Sequence, residues 1–181
     1  NGGTSFTNIN SGGTDDLYGV FFISPDTGWV CGQDAAVYKT VNGGSSWTQQ
    51  TLPSFTNSCY DIFFTDANTG YIGSWANRIY KTTDGGTTWS TIPNLPSVNS
   101  IIKLQFINPD TGWATSDYGK LLKTTDAGQT WVLQHDFCFS PGYALHFYDA
   151  MNGFAAGGLS NYNCRLYRTR DGGDTWENTD L

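Results

Sequence analysis

One short motif, recurring with a spacing of about 42 residues, limits what this chain can fold into more than any other feature of its sequence. The fullest copy is Lys81-Thr82-Thr83-Asp84-Gly85-Gly86-Thr87-Thr88-Trp89. Further copies run from Thr40 to Trp47, from Thr124 to Trp131 and from Thr169 to Trp176, and a shortened one is Asn1-Gly2-Gly3-Thr4-Ser5-Phe6. A period of this length belongs to repeat arrays, four-stranded propeller blades among them.

The motif has the chemistry of a tight turn between strands. Asn42, Asp84, Asp126 and Asp171 each carry a side-chain oxygen that can accept N–H groups two or three residues on. Gly44, Gly86, Gly128 and Gly173 can take a positive φ, and Trp47, Trp89, Trp131 and Trp176 lead the chain back into a sheet. Asp beside Gly also occurs in cation-binding loops, but calcium needs several converging oxygens and each motif brings a single acidic or amide side chain. The motif therefore reads as structural, with no metal and no cofactor.

Full repeats run over about 17–51, 59–93, 100–134 and 143–179, in a single repeat domain spanning 1–181. Each opens on an apolar strand, such as Tyr60-Asp61-Ile62-Phe63-Phe64 or Ile102-Lys103-Leu104-Gln105-Phe106, taken as the innermost strand a. A turn ending in Gly28, Gly70, Gly112 or Gly153 follows, then an aromatic (Trp29, Tyr71, Trp113, Phe154) that starts strand b. The b–c hairpin varies, strand c is apolar and basic, as in Ile79-Tyr80-Lys81, and the motif joins c to d. Residues 1–9 read as the last strand of a preceding blade. The chain is thus expected to be all-β, a β-propeller-type array of four complete four-stranded antiparallel blades plus one N-terminal strand, whether whole or part of a larger propeller. Antiparallel turns alternate between the ends of a sheet, so the a–b turns and the motifs share one face. The variable connections share the other, where binding usually resides.

Composition excludes several functions. The net charge is -7, with only nine Lys and Arg, which argues against nucleic-acid phosphates as a partner. No apolar run reaches membrane-spanning length, so no membrane insertion is expected.

The Ser/Thr-x-Asp-x-Gly-x-x-Trp core resembles the Asp-box, or BNR repeat, of sialidases and related propellers. The wider pattern, with its Asp-x-x-Gly-aromatic turn and apolar-Lys-Thr-Thr-Asp-Gly-Gly-x-Thr-Trp run, is similar to the Ycf48/Hcf136-type photosystem II assembly factor repeats also found in secreted bacterial surface proteins. The resemblance covers 17–181 and implies blades, a secreted or cell-surface location, and closed seven-bladed rings in the assembly factors. This chain departs from it at Asn1 and Asn42, which replace Asp, at Ala127, which replaces the first Gly, and in having four complete blades.

Cys31, Cys59, Cys138 and Cys164 fall at different phases of the repeat, toward the variable face. Disulfides Cys31–Cys59 and Cys138–Cys164 are expected, implying an oxidising compartment, with free buried thiols as the alternative. A sialidase would need three converging arginines. Here Arg165, Arg168 and Arg170 crowd one strand, Glu177 is the single glutamate, Asp61 and Asp117 are not designated as a pair, and His146 reads as a strand-packing residue. The chain is expected not to be an enzyme. Trp75, Tyr118, Phe139 and Tyr162, with Phe55, Phe137 and Tyr143, lie outside the repeated positions. They either form a stacking surface for a protein or glycan partner or pack between neighbouring loops. The expected function is a non-catalytic extracellular interaction or structural scaffold binding through the face opposite the Asp-boxes. The alternatives are a surface fibre or ring built by head-to-tail self-association, and a binding domain or fragment of a sialidase-like glycoside hydrolase.

Overall fold

The computed structural model describes residues 16–53, 57–137, 142–158 and 164–179. These form four antiparallel sheets of four strands, each a simple meander. The first holds β1 (Leu17–Phe22), β2 (Gly28–Gly32), β3 (Val37–Thr40) and β4 (Thr48–Gln49). The second holds β5 (Cys59–Phe64), β6 (Gly70–Ser74), β7 (Arg78–Thr82) and β8 (Ser90–Thr91). The third holds β9 (Ile101–Phe106), β10 (Gly112–Ser116), β11 (Lys120–Thr124) and β12 (Val132–Asp136). The fourth holds β13 (Gly142–Phe147), β14 (Gly153–Gly158), β15 (Cys164–Thr169) and β16 (Glu177–Thr179). The helical content of the described residues is one 3-10 turn at Gln33–Ala35. Strand β5 packs against β1 and β9, and β9 against β13, so the first strands of successive sheets stand side by side at the inside of a propeller-type array. The N-terminal strand expected at 1–9 lies outside the described residues.

The core lies between sheets. Trp29, Cys31 and Val37 of the first blade pack with Cys59, Ile62, Phe64, Ile72 and Tyr80 of the second. Tyr71 and Ile79 of the second pack with Ile101, Leu104 and Phe106 of the third. Trp113 and Leu121 of the third pack with Phe147 and Ala155 of the fourth. Strands β2, β6 and β10 are buried at every position, because each is covered on both faces. The short last strands β4 and β8 are exposed, so little besides the motif holds them.

Three repeated contacts build the seam between blades, two of them crossing from one blade to the next and one lying within a blade. The aromatic that opens strand b lies flat on the last Phe of the following blade's innermost strand: Trp29 on Phe64 at 3.6 Å, Tyr71 on Phe106 at 4.2 Å and Trp113 on Phe147 at 3.7 Å. That Phe meets the motif tryptophan of its own blade edge-on, as in Phe64–Trp89, Phe106–Trp131 and Phe147–Trp176. Such ring pairs each contribute about 0.5–1.5 kcal/mol beyond burial. Finally, the strand-c lysine donates to a carbonyl in the next blade's motif, Lys39 to Gly85 O at 2.9 Å, Lys81 to Ala127 O at 2.6 Å and Lys123 to Gly172 O at 2.9 Å. Trp29 Nε1, the Tyr71 hydroxyl and Trp113 Nε1 donate to the same three oxygens.

The glycine that ends each a–b turn serves this stack rather than the turn. Gly28, Gly70, Gly112 and Gly153 are not among the positive-φ residues. A β-carbon added at any of them would lie 2.5–2.6 Å from the ring of Phe22, Phe64, Phe106 or Phe147. The motif tryptophans sit just before the last strand of each blade rather than within it.

Candidate functional site

The Asp-box turns are closed by their own atoms. In the second blade, Thr82 Oγ1 donates to Asp84 Oδ1 at 2.8 Å and accepts from Gly86 N at 2.9 Å. The carboxylate also accepts from Thr88 N at 2.8 Å and from Thr88 Oγ1 at 2.6 Å. The third and fourth blades repeat the pattern at Thr124, Asp126 and Thr130 and at Thr169, Asp171 and Thr175. In the first blade Asn42 substitutes without loss, its Oδ1 accepting from Thr40 Oγ1 and Ser46 N while its Nδ2 donates to Ser46 Oγ. The threonine donors hold the Asp84, Asp126 and Asp171 carboxyls down at about 2. Both residues after the acid take positive φ, including Gly85 (69°) and Gly86 (90°), and Ala127 does so at 58°. Each turn also bonds the a–b turn of its own blade, as in Gly85 N to Asn68 O at 2.8 Å, which places both sets of turns on one face.

On the opposite face, Trp75 is 43% exposed in the β6–β7 hairpin and Tyr118 is 56% exposed in the β10–β11 hairpin. The backbone under Trp75 is anchored, with Trp75 N bonded to Ser58 O and a bridge to Ser100, while its ring stays open. Tyr118 follows Asp117, whose carboxylate accepts from Asn99 Nδ2 at 2.6 Å and from Ser100 N at 3.2 Å. Phe137 takes the packing alternative. It is 7% exposed and packs against Tyr167 and Trp176, where the fourth blade's packing needs a filler. Phe139, Tyr162 and Phe55 lie outside the described residues, as does the side chain of Tyr143.

The innermost strands also surround an open cavity of about 380 Å³ whose walls differ. The first two blades contribute Val20, Phe21, Asp61, Ile62 and Phe63, and the last two the apolar Leu104, Ala144 and Leu145 beside the polar Lys103, Gln105 and His146. Asp61 is buried, and its carboxylate accepts from Lys103 Nζ at 3.2 Å and from Leu104 N at 2.9 Å. Burial raises the Asp61 pKa against the pull of those two donors. Gln105 is committed to the neighbouring strand, donating to Phe147 O and accepting from Phe147 N. His146 is exposed rather than packed in its strand. Phe21 and Phe63 pair at 5.0 Å, and Tyr18 and Tyr60, two residues before Val20 and Ile62 on the same strands, stack at 5.9 Å. Reading these strands as core missed the cavity and its other residues, and of those named beforehand Asp61 was left without a partner and His146 was expected to pack. The usable signal was a break in the repeat, since Phe21 and Phe63 give way to Gln105 and His146 at one phase, and Gly19 to Asp61, Lys103 and Ala144 at another.

The expected Cys31–Cys59 disulfide is not formed. Both thiols are free and buried in the first interblade core, with Cys31 Sγ directed at the Cys59 carbonyl oxygen at 3.6 Å. Burial pushes the Cys59 thiol up to about 12 and that of Cys31 well above its ordinary value. Cys138 and the side chain of Cys164 lie outside the described residues. The arginines do not converge on a clamp: Arg168 and Arg170 share the Glu177 carboxylate at 2.9 and 3.7 Å. Among the described residues no group of three or more His, Cys, Asp or Glu is placed to hold a metal ion.

Comparison with known proteins bears on the fold and the family. A search of the curated proteins finds no match. Among solved structures, "YCF48 bound to D1 peptide" superposes with a TM-score of 0.78 at 22% identity, covering 96% of this chain and 56% of that one. YCF48 from Cyanidioschyzon merolae gives 0.71 at 17% identity over 92% and 56%, and the Niastella koreensis GH74 enzyme 0.69 at 20% over 86% and 28%. The chain thus spans about half the length of the YCF48 structures it matches. The family model described as photosynthesis system II assembly factor YCF48 matches residues 53–179, and the chain belongs to that family of BNR-type β-propellers.

Proposed function

We propose that this chain is a non-catalytic binding module that takes a protein partner on the face opposite its Asp-box turns. The observation that carries the reading is a division of labour between faces. The Asp-box carboxylates are consumed by their own threonines, whereas Trp75 and Tyr118 stand open on the variable face. Asp61, Asp117 and Glu177 are each held by neighbouring donors, which supports binding over hydrolysis. One of the similar YCF48 structures is bound to a D1 peptide, which favours protein over glycan as the partner class. An extracellular location is part of the proposal and rests on the style of the repeat alone.

The test is fluorescence anisotropy with a labelled D1 peptide against the 181-residue chain. Trp75→Asp and Tyr118→Asp should each weaken binding about tenfold, as exposed aromatic anchors do, while Val41→Asp on the Asp-box face leaves it unchanged. Equal losses from both faces would sink the reading.

A second reading, head-to-tail association, is favoured by Phe22. It occupies the position of Phe64 (2% exposed), Phe106 and Phe147 yet is 42% exposed, with Leu17, Tyr18 and Val20 also open along β1. Sedimentation velocity over a hundredfold concentration range tests it. Growth of larger species that Phe22→Asp abolishes supports association, and a constant monomer rejects it.

A further inference from the structure

We propose that the variable face recognises its protein partner by an arginine side chain, whose guanidinium meets the Asp117 carboxylate beside the exposed rings of Trp75 and Tyr118. This inference rests on the protein-binding reading above and deepens it by naming the chemistry of the contact. The carboxylate comes first. Asp117 accepts from Asn99 Nδ2 at 2.6 Å, from Ser100 N at 3.2 Å and from Ser100 Oγ at 3.4 Å. These donors are neutral, so they fix the carboxylate in place without cancelling its charge. A carboxylate offers about four lone-pair sites, which leaves room for a further donor. The cations on the same two hairpins are placed elsewhere, Lys120 Nζ on Ser97 O at 3.0 Å and Arg78 beside the Tyr80 hydroxyl. Asp61, by contrast, already has its cation in Lys103.

Aromatic rings gather around this carboxylate. Trp75 bridges to Ser100 through its backbone, so the open indole and Asp117 are both anchored at one residue. Tyr118, also open, is next in the chain. Burial first, then Tyr18 and the Asp117 charge, raise the pKa of Tyr60, so the carboxylate stands within electrostatic reach of the stacked Tyr18–Tyr60 pair. A guanidinium suits both features, being planar, always charged, able to stack on aromatic faces and able to bond a carboxylate with a fork of donors. Lysine, a compact and strongly hydrated ammonium, gains less from the rings. A neutral segment leaves the Asp117 charge unmatched, and an acidic one is repelled by it. The net charge of -7 draws a basic partner in from a distance.

The experiment titrates the 181-residue chain with labelled Gly-Ser-Arg repeats and with the same peptide carrying citrulline, the uncharged isostere, at each arginine. The arginine peptide should bind at least about tenfold more tightly. Asp117→Asn should remove most of that difference, whereas Asp26→Asn, which takes the same charge from the Asp-box face, should leave it. Trp75→Ala should weaken the arginine peptide about two- to fivefold and change the citrulline peptide less. Equal binding of the two peptides, or binding of neither, overturns the proposal. Equal losses from Asp117→Asn and Asp26→Asn also overturn it, since they reduce the attraction to net charge. If Asp117→Asn lowers the melting temperature, Trp75→Ala decides, and an unchanged preference for arginine over citrulline in that variant overturns the proposal. A chain that binds the D1 peptide through Trp75 and Tyr118 without telling arginine from citrulline keeps the broader reading and loses this one. Equal losses of D1 peptide binding from both faces mark the failure of the broader reading instead.

Discussion

A single hydroxyl, that of Thr82, both donates to Asp84 and accepts from Gly86, and so fixes two residues of a turn whose backbone would otherwise open to water. The same arrangement at Thr124 and Thr169 makes the carboxylates of Asp84, Asp126 and Asp171 acceptors of up to three donors, which is why their pKa values fall to about 2 from 3.8. A depressed carboxyl stabilises the fold above its unfolded pKa and loses that contribution as pH falls through its folded value. The urea midpoint should therefore drop between about pH 4 and pH 2, and a triple variant with Asn at these positions, following the precedent of Asn42, should flatten the drop. Asp61 works in the opposite sense, since its raised pKa makes the ionised form the costlier one. Ala127 offers a second test. It holds φ at 58° where Gly43, Gly85 and Gly172 stand in other blades, a conformation that costs an L-residue about 1 kcal/mol. Ala127→Gly should raise stability by about that amount in urea unfolding.

At the scale of strands, the motif lies at one end of a chain of contacts from the tryptophan through a phenylalanine to the aromatic of the blade before. Gly112→Ala probes the middle link, where a β-carbon would stand 2.6 Å from the Phe106 ring. It should destabilise by about 1–3 kcal/mol, the range for overpacked cores, although alanine is otherwise the better strand residue. Strand order, hairpin pairing and the turn at each Asp-box were legible because period, turn residues and apolar runs are local. The reason for Gly112 was not, since the ring it accommodates belongs to another strand. The fourth blade shows the same limit. Phe154 and Arg168 stand where Trp29 and Lys39 stand in the first, and Phe154 has no polar hydrogen with which to reach a neighbouring carbonyl. That exchange was visible in the sequence, but its meaning depended on knowing that the pair reaches across to another blade.

For the whole molecule, repetition made the fold easy to read and the site hard to read. Residues copied with the repeat build the interblade cores and the Asp-box face. The binding candidates Trp75 and Tyr118 lie in hairpins where copying failed, and it failed also at Lys103, Gln105 and His146 on inner strands that otherwise read as core. Cys31 and Cys59 show the opposite error, since their unrepeated phases suggested a bridge, whereas packing uses them as small buried apolar groups. If one face maintains the structure and the other binds, hydrogen–deuterium exchange with and without a saturating partner peptide will separate them. New protection should appear in the β6–β7 and β10–β11 hairpins, with none in the turns around Asp84, Asp126 and Asp171. Protection centred on those turns, with the hairpins unchanged, would contradict that division.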